Sequence, residues 1–92
     1  MKDYSEILKE CARIAEERQG EYGHSSDSLK SICGIAESVF GIELTPEELA
    51  LVFVSAKLSR ESYKHKDDNI IDCINYLAIA LNEMRNEKRK KN

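Results

Sequence analysis

Apolar residues recur every three or four positions along most of the chain, which is the spacing of one face of an α-helix. Four segments show this spacing: about 3–18, 26–40, 46–63 and 67–87. Two glycines within 19–25 indicate a loop after the first segment, and Gly41 ends the second segment, as glycine commonly does just past a helix. The pattern predicts an all-α fold, a single domain over residues 1–92 built as an antiparallel four-helix bundle.

The third segment begins with the clearest local signal in the chain. Thr45 can act as the N-cap, Pro46 suits the first helical position, and Glu48 can complete a capping box. The run 49–54 that follows is apolar on every side, so we expect the third helix to be the most buried. The fourth segment carries its apolar residues on one stripe: Ile70, Ile74, Leu77, Leu81 and Met84.

Charge argues against a protein that binds duplex nucleic acid. The 92 residues include 14 basic and 17 acidic ones, a net charge of −3, whereas nonspecific duplex binders are normally more basic. The one basic run lies in the tail 85–92, and we interpret it as a solvated helix end whose cations favour the C-terminal dipole.

The predicted compartment is the cytoplasm. No apolar run approaches the roughly 20 residues that span a bilayer, so no membrane partner is expected. Asp3, Glu6 and Glu10 interrupt any secretory segment at the N-terminus. The three cysteines are odd in number and widely spaced, which indicates reduced thiols and not a zinc site or a disulfide framework.

The chain is small enough that association would add useful stability. Ile71, Ala78 and Ile79 lie off the main stripe of the fourth helix, and the third helix is apolar all round. Four short helices from one chain would leave part of this apolar surface uncovered. We therefore expect a homo-oligomer.

Four charged residues interrupt the apolar stripes: Arg18, Lys57, Arg60 and Asp72. Charges on core-facing stripes are expensive unless they are paired or used. In an up-down-up-down bundle all four would converge at one end. Lys57 and Arg60 are three apart and share a helix face, so they could clamp a phosphate. The alternative is an internal ion pair with Asp68 or Asp72.

Acidic and aromatic residues at the same end suggest further chemistry. Asp68 and Asp72 are four apart and could hold Mg²⁺, although an acid in the first turn is also favoured by the helix dipole. Tyr22 could stack on a base or simply pack over the bundle end, and Gly23 would let backbone approach a ligand. The remaining candidates are Tyr76, four residues after Asp72, and the loop histidines, for which exposure to solvent is the default interpretation: His24 and His65.

As a set, these motifs resemble a group of small phage and prophage proteins. They are Arg18-x-x-x-Tyr22-Gly23, Thr45-Pro46-Glu47-Glu48-Leu49-Ala50, Lys57-x-x-Arg60 and His65-x-x-Asp68-x-x-x-Asp72-x-x-x-Tyr76. That group looks related to the all-α NTP pyrophosphatases of the MazG and dimeric dUTPase type. The segment 68–81 is also similar to the last helix of nucleotide-modification-associated phage proteins.

The resemblance extends from about Glu10 to Glu83, and it implies a helical, oligomeric protein that handles nucleotides. If the chain is phage-encoded, its compartment would be the host cytoplasm. The resemblance places ligand contacts on Arg18, Tyr22, Lys57, Arg60, Asp68 and Asp72. The pyrophosphatase type, however, carries an E-x-x-E pair followed by E-x-x-D, and this chain has no E-x-x-E spacing.

Binding without catalysis is therefore the leading hypothesis. The ligand would be a phosphate-bearing or cyclic nucleotide held by Arg18, Lys57 and Arg60, with Tyr22 or Tyr76 against the base. In a phage, such a protein could sequester a host nucleotide signal that triggers defence. One alternative is a Mg²⁺-dependent nucleoside triphosphate pyrophosphohydrolase with its metal on Asp68 and Asp72. The other is a bundle that only binds proteins.

Overall fold

The computed structural model describes residues 3–23 and 25–91. Four helices follow one another: α1 Tyr4–Tyr22, α2 Ser25–Phe40, α3 Pro46–Tyr63 and α4 Asp67–Lys91. The described residues contain no strand, and the helices pack against one another. The all-α, bundle-like fold predicted from the apolar spacing is confirmed.

None of the described helices combines the length and the apolar character needed to cross a membrane.

Two glycines with positive φ end the first two helices. α1 runs one turn further than predicted, because Gly20 continues the helix and the chain leaves it only at Gly23, with φ 81°. The Gly23 N–H donates to the carbonyl of Gln19 at 3.0 Å. α2 ends as predicted at Gly41, with φ 68°. Positive φ is easily adopted only by glycine, so these two positions set the lengths of both helices.

The capping box at the start of α3 is present as predicted. Thr45 Oγ1 accepts a hydrogen bond from the backbone N–H of Glu48 at 3.2 Å, and Glu48 Oε1 accepts one from the N–H of Thr45 at 3.0 Å. Pro46 occupies the first turn, where its missing N–H costs nothing. The start of α3 is thus set by its own sequence.

α3 and α4 form an antiparallel hairpin at the centre of the molecule. The thiol of Cys73 donates to the carbonyl of Val54 at 3.6 Å, and Asn69 Nδ2 donates to Glu61 Oε1 at 3.2 Å. Later residues of α3 therefore contact earlier residues of α4, which is the pattern of an antiparallel pair. The other two helices pack on this hairpin, α1 along α4 and α2 mainly against α3.

The core is small and lies where α2 meets the hairpin. Its fully buried members are Leu29 of α2, Leu49 and Ala50 of α3, and Ala80 of α4. Partly buried side chains complete it: Ile32, Cys33, Leu44, Phe53 and Ile79. This cluster holds α2 against the α3–α4 hairpin.

The prediction that α3 is the most buried helix is wrong. Leu49 and Ala50 are buried, but Leu51 and Val52 in the same apolar run are exposed. α3 contacts α2 and α4 on one side and leaves its other side open. More positions are buried on α4. The apolar ones are Ile71, Cys73 and Ala80, and the polar ones are Asn69, Asp72 and Glu83.

Candidate functional site

Asp72 joins three helices through one carboxylate. Its Oδ1 accepts a hydrogen bond from Arg18 Nη1 of α1 at 2.8 Å, and its Oδ2 lies 2.8 Å from Lys57 Nζ of α3. Three of the four charges that interrupt the apolar stripes therefore meet, as the bundle topology predicted. For Lys57, the internal ion pair considered as an alternative to a phosphate clamp is the arrangement observed.

Arg18, Lys57 and Asp72, which we call the charge triad, carry two positive charges and one negative charge, so their net charge is positive. Burial raises the pKa of Asp72, but hydrogen bonds from Lys57 and Arg18 and their charges outweigh it, so the pKa lies below its usual value. The Asp72 side chain is 7% exposed, that of Lys57 20% and that of Arg18 48%. Arg18 is thus the member of the triad that can also reach a ligand.

Arg18 and Asp72 border a cavity of about 480 Å³ lined by all four helices, which we call the central cleft. Most of its surface is apolar, and its apolar residues are Ala15, Leu29, Ile32, Phe53, Ala78 and Ile79. Its polar lining comes from Arg18, Gln19, Ser25, Ser28, Asp72, Asn75 and Tyr76. An apolar chamber with a few polar groups at its edge is the usual composition of a small-molecule site.

The start of α2 forms part of the edge of the central cleft. Gly23, Ser25 and Ser28 line it, so the first turn of α2 lies next to the cavity. The first N–H groups of a helix have no partner within the helix, and its dipole is positive at that end. Together with Arg18, this end of the cleft favours a negatively charged group.

Tyr76 and Asn75 line the cleft from the α4 side. The Tyr76 ring packs against Phe53 with 5.1 Å between ring centroids and 44° between planes. Asn75 Nδ2 donates to the carbonyl of Cys11 at 3.2 Å, which holds α1 against α4. Tyr76 was a candidate from its spacing to Asp72, whereas Asn75 was missed, although it shares the same side of the helix.

A second, more open hollow lies at the α3–α4 end of the molecule, and we call it the outer hollow. Its volume is about 660 Å³. The residues that line it are all of polar or charged type: Lys57, Ser59, Arg60, Tyr63, Lys64, Lys66, Asp68, Asn69 and Asp72. Arg60 and Asp68 therefore lie in the outer hollow and Arg18 in the central cleft, with Asp72 bordering both. The single binding end expected from the sequence is divided in two.

The predicted magnesium pair borders the outer hollow. Asp68 is exposed, while both carboxylate oxygens of Asp72 are engaged by Arg18 and Lys57. Among the described residues, no group of three or more His, Cys, Asp or Glu side chains could hold a metal ion. A metal on Asp72 would have to displace a cation, and the magnesium site stays a prediction.

The other candidates lie elsewhere. His65 is exposed in the α3–α4 connection, where it hydrogen-bonds to Glu61 and, through Nε2, to Asp67 at 3.0 Å. The Glu61 hydrogen bond, supported by Asp67, raises the pKa of His65. In the part of the chain that the structure describes, His65 lines neither cavity. His24 and the side chain of Tyr22 lie outside the described residues, so their roles stay predictions.

Several cleft residues carried no functional signal in the sequence. The two glycines within 19–25 predict a loop at Gln19, which the structure places in α1. Ser25 and Ser28 belong to a helix start, and the sequence does not show what lies next to it. Leu29 and Ile32 were visible as apolar stripe residues, but nothing in the stripe shows that one edge of it borders a cavity. Only the packing of α1 and α2 on the α3–α4 hairpin reveals that role.

Comparison with known proteins gives a match to a protein family. A family model described as a domain of unknown function (DUF6378) matches residues 6–84. No curated protein matches the chain. No solved structure matches it either.

Proposed function

The chain belongs to the DUF6378 family, and we propose that it is a binding protein for a phosphate-bearing nucleotide, held in the central cleft. The observation that carries the proposal is the composition of that cleft. It combines an apolar chamber with an edge formed by Arg18 and the first turn of α2. A ligand that fits both parts has a flat, weakly polar ring and an anionic group.

The size of the cleft supports a ligand of this kind. Its volume of about 480 Å³ lies within the range of roughly 300–1,000 Å³ typical of small-molecule sites. Ile32 and Ile79 can contact the faces of a ring. Tyr76 can add an aromatic contact, since its own ring is already held in place by Phe53. The side-chain amides of Gln19 and Asn75 can hydrogen-bond to the ring edge.

The anionic group would lie near Arg18. One guanidinium nitrogen of Arg18 binds Asp72, and the planar group has further N–H donors for a phosphate. Lys57 supplies a second positive charge to Asp72, so the carboxylate does not cancel the charge of Arg18. The positive end of the α2 dipole adds to the attraction. Lys57 therefore supports phosphate binding indirectly, and Arg60, in the outer hollow, takes no direct part.

Binding is favoured over hydrolysis by the state of the acidic residues. A general base works best when its pKa lies near the working pH, whereas the cations on both oxygens of Asp72 hold its pKa below the usual value and make it a weak base. We therefore propose sequestration of the nucleotide as the function. Its use against a host defence signal is proposed from the resemblance of the sequence motifs to small phage proteins.

Isothermal titration calorimetry with mono-, di-, tri- and cyclic nucleotides tests this proposal. We expect at least one nucleotide to bind, and Arg18→Met to weaken its binding by ten- to a hundredfold, because a charge-assisted hydrogen bond contributes about 1.5–3 kcal/mol. Arg13→Met is the matched control. Arg13 is also an α1 arginine paired with a carboxylate, Glu17 at 3.2 Å, but it lies outside the described lining of the cleft.

A second variant tests the location of the ligand. Ile79→Trp would fill the cleft with a larger side chain and should abolish binding while circular dichroism stays helical. The proposal is contradicted if no nucleotide releases heat, or if Arg13→Met and Arg18→Met weaken binding equally.

A further inference from the structure

The apolar stripe of α4 faces away from the rest of the chain. Ile70, Leu77, Leu81 and Met84 are between 39% and 49% exposed, and Ile74 between them is half-buried. Their positions alternate in steps of four and three. This is the a/d spacing of a coiled coil, in which one helix packs its apolar seam against another helix. In the described chain, the stripe has no helix packed over it.

α3 widens this apolar surface. Leu51 and Leu58 are seven residues apart and exposed. Val54 lies between them on the same side of α3 and receives the hydrogen bond from Cys73, so this side of α3 adjoins α4. We call the combined surface the stripe face: Leu51, Leu58, Ile70, Leu77, Leu81 and Met84.

The chain exposes more surface than a compact monomer of its mass. Its accessible area is 7113 Å², against about 5400 Å² expected for 10.5 kDa. Its radius of gyration is 14.5 Å, against about 12 Å expected. A stable two-chain interface buries about 800 Å² from each partner. The accessible area of the chain exceeds the expected value by about 1700 Å², which is more than one such interface would cover.

We propose that the stripe face is an interface at which a second copy of this chain packs, α4 against α4 and antiparallel. The charges of α4 favour this orientation. Its first turn carries the exposed Asp67, and its other end carries Arg85 at the start of the basic run in the sequence. An antiparallel pair brings acidic and basic ends together, whereas a parallel pair brings like charges together.

The two-fold arrangement makes a specific geometric demand. In an antiparallel pair, the residue at the centre of the stripe meets the same position of the second copy. The stripe runs from Ile70 to Met84, so its centre is Leu77. At the ends of the stripe, Ile70 of one copy meets Met84 of the other.

The pairing would leave the central cleft open. On α4, Asp72 and Tyr76 point into the chain, and the stripe lies on the opposite side of the helix. Each copy would keep its own cleft, which predicts one ligand per chain. This stoichiometry rests on the proposed nucleotide binding, whereas the pairing itself does not.

Light scattering coupled to size-exclusion chromatography tests the pairing without any ligand. The full chain is expected to elute with twice its mass of 10.5 kDa. Leu77→Glu is expected to give the single-chain mass, because it places a charge at the centre of the stripe. Val39→Glu, at an exposed apolar position of α2, is the matched control and should leave the double mass unchanged. Circular dichroism should show both variants to be as helical as the original chain.

Cysteine cross-linking tests the orientation. Leu77→Cys should form a disulfide-linked pair under mild oxidation, while Ile70→Cys and the original chain should not. Among the native cysteines, Cys11 and Cys73 are buried, and the half-buried Cys33 packs against the core. A single-chain mass for the original protein would overturn the proposal. So would a pair that survives Leu77→Glu, or one that Val39→Glu separates. A parallel pair would bring position 70 as well as position 77 to its counterpart, so cross-linking through both Ile70→Cys and Leu77→Cys would overturn the antiparallel orientation.

Discussion

At the scale of single residues, Asp72 matters most to the candidate site. It is a buried carboxylate between Arg18 and Lys57, and it links α1, α3 and α4. If the Asp72 carboxylate were removed, the largely buried ammonium group of Lys57 would lose the negative charge that it faces. Removing one partner of such a buried set is more damaging than removing an exposed pair, because the remaining charge loses its compensation.

We therefore expect Asp72→Asn to lower the free energy of unfolding by about 1.5–3 kcal/mol at pH 7, the range for hydrogen bonds to charged groups. Urea denaturation followed by circular dichroism measures it. Glu17→Gln, which removes the carboxylate of an exposed α1 pair with Arg13, is the control and should change stability by less than about 0.5 kcal/mol. Equal effects of the two variants would contradict the role given to Asp72.

The same variant carries a pH dependence whose sign follows from the lowered pKa of Asp72. A carboxylate with a lower pKa in the folded state stabilises the protein above its unfolded pKa, about 3.9 for aspartate. That stability is lost as the pH falls through the folded pKa. The difference between the original chain and Asp72→Asn should therefore shrink below about pH 4. A difference that stays constant into strong acid would show that charge is not its cause.

At the scale of elements, α3 and α4 contribute in different ways. α3 has a start set by its own capping box, so the position of Lys57 along the helix does not depend on distant contacts. Two sides of α4 have different roles. One side carries Asp72, Asn75 and Tyr76 to the triad and the cleft, and the other carries the exposed stripe.

Thr45→Ala removes the cap of α3 and is expected to destabilise the protein by roughly 1 kcal/mol, the usual effect of losing an N-cap side chain. Ser55→Ala is the control, since the Ser55 hydroxyl is exposed and only donates to the carbonyl of Leu51 within the same helix. Its effect should stay within about 0.5 kcal/mol. Urea denaturation measures the free energy of unfolding of both variants. A Thr45→Ala protein as stable as Ser55→Ala would show that packing alone sets the start of α3.

At the scale of the whole molecule, the chain is extended and incompletely covered. Its principal extents are 47 × 35 × 24 Å, and its fully buried apolar cluster is small for four helices. The pairing proposed for the stripe face would cover part of this surface, and in that case the stability of the protein should depend on its concentration.

We expect the thermal midpoint to rise by a few degrees for each tenfold increase in protein concentration, because mass action favours the paired state. Differential scanning calorimetry across a hundredfold range of concentration measures this. Leu77→Glu should show a lower midpoint that does not move with concentration. A midpoint independent of concentration in the original chain would count against the stripe-face pairing.

The sequence alone determined the elements of this protein. Helical spacing located all four helices, and the residues at Gly41 and Thr45 marked the end of α2 and the start of α3, because capping acts within a few residues. The later end of α1 was missed. A single glycine such as Gly20 weakens a helix by only about 1 kcal/mol, so it does not always break one. The meeting of Arg18, Lys57 and Asp72 also followed from the sequence, given the bundle topology.

Only the tertiary structure decided which faces are covered. Periodicity shows that α4 has an apolar stripe, but it contains no information on whether that stripe faces another helix of the same chain. The same holds for the central cleft, whose lining comes from four helices and includes residues such as Asn75 and Ser28 with no distinctive local pattern. Helix ends are set by neighbours in the sequence, whereas clefts and exposed faces depend on how separate helices pack.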